Sequence, residues 1–145
     1  MKQSFVLFLL LFLALLSNLV YAQKQQHFYD PDQEIQIEGT VQEIIMEPRY
    51  KDAAPFLIII LDEKATEQRY RIEISPTWFF DHDLHKGESM LVIGSLYKTG
   101  ETDLNIIAKE IRFRGENLVL RDKHGFPNWR GGKMGRRVKK KGQRF

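Results

Sequence analysis

The chain has 145 residues, 43% of them hydrophobic, with 22 basic and 19 acidic side chains and a net charge of +3. It has no cysteine, which excludes disulfides, thiolate metal sites and thiol catalysis. The charge is segregated: residues 130–145 carry eight bases and no acid, and setting these and Lys2 aside leaves 13 bases against 19 acids in the body, about −6.

Residues 1–22 read as a targeting segment. Lys2 is the only charge before Lys24, an apolar stretch runs over 5–16, and Val20-Tyr21-Ala22 ends it. This is the pattern of a signal peptide cleaved after Ala22. A retained anchor is the alternative, but the run is short of the ~20 apolar residues that span a bilayer. The expected location is outside the bacterial cytoplasm, periplasmic or secreted. Residues 23–32 are expected to be a flexible lead-in.

The first strand is predicted over 33–46. Ile35, Ile37, Gly39 and Val41 share one face, and Gly39 on that inward row suggests a sharp bend or bulge. Adjacent Ile44 and Ile45 break the alternation, and Pro48 ends the strand. Residues 56–61 are a solid apolar run, so both faces of this second strand need cover. In the third, Tyr70, Ile72 and Ile74 are predicted to face the core, with Arg69, Arg71 and Glu73 outward.

Ser75-Pro76 reads as a cap followed by proline at a helix start, and Lys86-Gly87 as its end. A short helix carrying Trp78, Phe79 and Phe80 is therefore expected here. Strands follow over 90–96 and 104–113, the latter with Ile107, Lys109, Ile111 and Phe113 on one row. Gly100 and Gly115 mark turns. Three strands, a short helix and two more strands predict an all-β fold, a five-stranded OB-fold-like Greek-key barrel over 33–129. A β-meander or sandwich is the alternative. The tail, 130–145, is expected to be disordered because a block of like charge cannot bury itself.

The segments "IEGTVQEI", "ISPTWFF", "LHKGESMLVIGS", "NIIAKEI" and "LVLRDKHGFPNW" resemble an exported bacterial OB-fold family of unassigned activity. The resemblance covers about 35–129. Its most specific part is the closing Leu-Arg-Asp-x-x-Gly-x-Pro-x-Trp. Ser75 stands where the family pattern has glycine, and the basic tail lies outside it. The resemblance implies a fold and a compartment, and no catalytic residues.

The closing motif reads as a structural clasp formed by Arg121, Asp122, Gly125, Pro127 and Trp129. Leu118, Leu120, Phe126 and Trp129 would cover a second apolar row of strand two (Leu57, Ile59 and Leu61), Gly125 would permit a turn, and Asp122 would accept turn amides. The rival is an aromatic ligand site of Trp129, Phe126 and Trp78. The one metal-like cluster is His82 and His85, with Asp81 or Asp83 as further ligands; its alternative is a polar segment facing water. No nucleophile elbow, P-loop or dinucleotide fingerprint is present, so no cofactor and no enzyme are expected.

The expected function is an exported, non-enzymatic binding or adaptor module, probing its partner with the barrel and the loops 48–55 and 81–86. The partner is an unspecified protein, or an anionic polymer or membrane surface touched by Arg136, Arg137, Lys139, Lys140 and Lys141 of the tail. A monomer is expected, with no specific nucleic-acid partner. One alternative is nucleic-acid or polysaccharide binding on the outer face of Arg69 and Arg71 together with the tail; Trp78 and Trp129 remain candidate ligand contacts of the aromatic site. The other is a metal-binding periplasmic protein centred on His82 and His85.

Overall fold

The computed structural model describes residues 27–48 and 54–130. The described strands are β1 Glu34–Glu47, β2 Phe56–Glu63, β3 Arg69–Pro76, β4 Ser89–Lys98, β5 Leu104–Phe113 and β6 Glu116–Val119. No helix among the described residues is long and apolar enough to cross a membrane.

β1 is shared by two halves of the sheet. Its first part pairs with β4, from Glu34 opposite Ser95 to Thr40 opposite Ser89. Its second part pairs with β2, from Gly39 opposite Glu63 to Glu47 opposite Phe56. Gly39 sits at the overlap, and a Cβ there would collide with the Asp62 carbonyl. Glycine is what lets the strands approach closely enough to turn the corner. The register slips between Val41 and Glu43, which makes Gln42 the extra residue of a bulge. That bulge explains the adjacent Ile44 and Ile45: the inward row restarts one residue late.

β3 closes onto β5 in parallel, from Tyr70 opposite Leu104 to Glu73 opposite Ile107. The result is a closed five-stranded mixed barrel in the order β1-β2-β3-β5-β4, OB-like in architecture. β6 extends the sheet beyond β5. The β5–β6 turn is Arg114-Gly115, both at positive φ (52° and 73°), which suits the twist of a two-residue hairpin.

The interior is apolar. Ile59 and Leu61 of β2, Ile72 and Ile74 of β3, and Val92 and Ile106 of β4 and β5 are fully buried there. Each such side chain contributes about 1.5–3 kcal/mol relative to exposure. Leu57, Ile59 and Leu61 are the inner row of β2 and not the row that awaits the clasp; Phe56 and Ile58 are the residues buried on its other face.

Four expectations need correction. The short helix after Ser75 does not form. β3 runs on through Ser75 and Pro76, paired with Leu57 and Phe56, and residues 77–79 make a turn. Strand pairing wins because Ser75 is buried and its hydroxyl is spent on the Pro76 carbonyl, so it caps nothing. The row Ile107–Lys109–Ile111–Phe113 is broken as well. The β4–β5 register slips so that Ala108 pairs with Gly94 and Glu110 with Ile93. Lys109 is the extra residue, and the core receives Ile106, Ala108, Ile111 and Phe113. Glu73 does not face water; it is 4% exposed beside Ile58 in β2. Its carboxylate accepts the Tyr97 hydroxyl at 2.6 Å and lies 3.9 Å from Arg71.

The fourth correction concerns the lead-in. Residues 27–33 are seated on the barrel. Pro31–Gln33 form a 3-10 turn capped by Asp30, whose amide donates to buried Ser95. The His27 ring stacks on Tyr97 with centroids 4.0 Å apart. Residues 23–26 lie outside the described residues.

Candidate functional site

The closing motif is a clasp tied mainly by backbone groups. Arg121 and Pro127 form an isolated bridge, and the amides of Leu120 and Arg121 both donate to the Lys109 carbonyl freed by the β5 bulge. Asp122 accepts the amides of His124 (2.8 Å) and Phe126 (3.0 Å). Local desolvation pushes the carboxyl of exposed Asp122 up, but these amide bonds outweigh it and hold the group below the ordinary carboxylate range. Arg121 donates to the carbonyls of Ala108 and Gly125, and its guanidinium lies 4.9 Å from the Trp129 ring centre.

Gly125, at φ +86°, is needed twice over: its backbone is left-handed, and a Cβ would strike the Tyr29 ring. Tyr29 in turn donates to Glu34 at 2.7 Å, and Glu34 also takes the Lys109 ammonium. Burial and the Glu34 carboxylate push the Tyr29 hydroxyl well up, while the Lys109 hydrogen bond holds Glu34 down. The lead-in and the clasp therefore hold each other. No sequence signal paired Tyr29 with Gly125; their contact is purely tertiary.

Trp129 packs on the core and meets Phe56 edge-on at 5.8 Å and Phe79 at 5.5 Å. Phe79 passes the contact on to Trp78 at 6.0 Å. Trp78 itself is 62% exposed. So two members of the expected aromatic site, Trp129 and Trp78, belong to one ladder. Phe126 does not join the cover of β2; it is 67% exposed because the Asp122 turn directs the chain outward there. Leu118 and Leu120 do cover the core.

The segment 77–87 crosses one end of the barrel, where Phe79, Phe80 and Leu84 pack on the core. It leaves an open cleft of about 170 Å³ lined by Ile44, Met46, Leu57, Phe80 and Leu84, with His82 and Asp83 among its walls. Met46 is 67% exposed at this cleft. The two histidines serve different neighbours. His82 lies 3.1 Å from Glu116 and against Phe80 and Phe113. His85 lies 3.4 Å from Asp83, and Arg114 donates to its Nδ1 at 2.9 Å. A guanidinium so placed repels a cation. Among the described residues no three metal-ligating side chains converge.

Arg69 and Arg71 border a second, wider groove of about 420 Å³, with Ile60, Leu104, Thr102 and Asn105. The loop between β4 and β5 forms its other wall, which the sequence did not suggest. Asn105 is buried and braces this loop through Thr99 and the Asp103 carbonyl. The arginines here are engaged. Arg69 makes a two-pronged pair with Asp62 (2.7 and 3.1 Å), which holds the Asp62 carboxyl down and the guanidinium up. Arg71 pairs with Glu47.

Further pairs hold Lys64 to Glu38 and Arg114 to Glu88. Of the loop 48–55, residues 49–53 lie outside the described residues. So do residues 131–145, with the five tail cations singled out above. No family model and no curated protein sequence matches this chain.

Proposed function

We propose that the protein is an exported, non-enzymatic binding module whose barrel presents a rigid surface and whose basic tail attaches it to a polyanion. The observation that carries this reading is the segregation of charge between a net negative body and the basic tail. Lys64, Arg69, Arg71, Lys109 and Arg114 of the barrel each face a carboxylate. A polyanion approaching the barrel meets these five already paired, scattered single cations such as Lys86, Lys98, Arg112 and Lys123, and a body of net negative charge. Arg136, Arg137, Lys139, Lys140 and Lys141 have no acid among their sequence neighbours. Their charge is the natural source of counterion release. The signal-like pattern of residues 1–22 supports the compartment, and the resemblance of the closing motif agrees with it.

The test is a heparin titration across a salt series, with the chain from Gln23 and its variant carrying glutamine at those five positions. The expected result is binding whose logarithm falls steeply with salt, and a slope smaller by about 4–5 in the variant. Equal slopes would refute tail attachment. The groove beside Arg71 sustains a second reading, a polysaccharide site on the barrel. Binding that survives tail neutralisation and is lost in Arg69→Glu/Arg71→Glu would favour it.

A further inference from the structure

We propose that the groove beside Arg71 is a binding site for an uncharged saccharide. This rests on the reading of that groove as a polysaccharide site and names the class of sugar; it is independent of the tail. The charges around the groove carry the inference. Arg69 and Arg71 each hold a carboxylate, Asp62 and Glu47, and Nη1 of Arg71 lies 3.9 Å from buried Glu73. Asp103 lines the other wall, and Glu43 adds its field at Arg69. Even with Lys98, which the strand pairing sets opposite Leu104, three cations stand among five carboxylates. An anionic polymer is repelled there. An amine would have to displace guanidinium groups from Asp62, Glu47 and Glu73.

What the groove offers is direction without net positive charge. A guanidinium has five N–H donors, and Arg69 spends only those of Nε and Nη2 on Asp62. The others can meet neutral oxygens. Thr99 and Thr102 add hydroxyls, and Ile60 and Leu104, both half-buried, add apolar surface. Asn105 is buried and ties its amide to the Thr99 hydroxyl and the Asp103 carbonyl at 3.0 and 3.1 Å, so the loop wall stands preformed. Forked donors beside apolar surface match a sugar ring, whose hydroxyls line its rim and whose C–H groups form its faces. At about 420 Å³ the groove falls within the ~300–1,000 Å³ range of small-ligand clefts. An extended peptide docks by pairing with an open sheet edge, and the bordering strands offer none: β2 is paired by β1 and β3, and β3 by β2 and β5.

The experiment applies the chain from Gln23 to an array of uncharged and anionic glycans at low and at physiological salt, then titrates the strongest uncharged member by calorimetry. The expected result is binding to uncharged members that salt leaves unchanged. Arg71→Gln should weaken it roughly tenfold and Thr102→Ala about threefold, as the loss of a charged and a neutral hydrogen bond does. Thr102 is exposed, so its variant should melt as the parent does and keeps the test clear of misfolding. Binding to anionic members alone, salt-sensitive and lost in Arg69→Glu/Arg71→Glu, would overturn the uncharged class and leave the groove standing as a polysaccharide site. Uncharged binding that neither variant weakens would overturn the groove as its location. Binding to no glycan would overturn both.

Discussion

The clasp, residues 120–130, and the crossing segment, residues 77–87, are both irregular chain laid over the same barrel, yet they are held by opposite means. The clasp is fastened by amides, carbonyls and one guanidinium: Asp122 takes two amides, the Lys109 carbonyl takes two more, and Arg121 spans two carbonyls. The crossing is seated by greasy side chains, Phe79, Phe80 and Leu84, and its backbone is tied to the barrel mainly at its two ends, Thr77 to the Pro55 carbonyl and Gly87 to the Val41 carbonyl. Directional bonds can hold a backbone in place while leaving an exposed side chain such as Phe126 without a role. Apolar packing is not directional, so it fixes three side chains and leaves their neighbour Trp78 to the solvent. An exposed aromatic therefore means something different in each segment.

Three experiments sharpen that contrast. The largest effect is expected for Trp129→Ala, which removes the ring shared by both segments. It should cost about 3 kcal/mol in chemical denaturation, whereas Phe126→Ala, on the clasp's outer side, should stay within about 0.5 kcal/mol. A Trp129 effect no larger than that of Phe126 would refute the clasp.

Next comes Gly125→Ala. Its strained φ and the Tyr29 ring together should cost about 2 kcal/mol, and Tyr29→Ala should relieve the steric part in the double variant. Strict additivity of the two would break the proposed contact.

The smallest effect is expected for Asp122→Asn and is best read against pH. The folded carboxyl is held below its unfolded value, so its contribution is present above the ordinary carboxylate range and is lost as pH falls through the folded value. The variant should therefore melt lower at neutral pH and lose less stability on acidification. A parallel pair of melting curves from pH 7 to pH 3 would contradict this.

Much of the barrel was legible in the sequence because period-two rows are dictated by burial. Ile37, Val41, Tyr70, Ile72 and Ile74 point where alternation put them. What stayed hidden was set by register. The bulges at Gln42 and Lys109 exchange inner and outer rows without a local signature beyond a broken alternation. Ser75-Pro76 carries a true helix-start pattern, and only its partners Leu57 and Phe56 in β2 make it strand. Parity reads Glu73 as facing water; it does leave the core face, but Tyr97 and Ile58 bury it there, which parity cannot say. The candidate sites were half visible for the same reason. Arg69 and Arg71 were found as residues, but their carboxylate partners came from β1 and β2 across the sheet.

The embrace of Tyr29 and Gly125 has a kinetic side. These residues stand near the two limits of the described domain, so their contact closes a loop almost as long as the barrel itself. Such a contact confers nothing until nearly all the chain is in place, and folds dominated by distant pairings form slowly. A nascent or threading chain that lacks the last dozen residues of the barrel leaves the Tyr29 lead-in and the Lys109 carbonyl without their clasp partners. The feature that locks the finished molecule is therefore also the one that delays its completion.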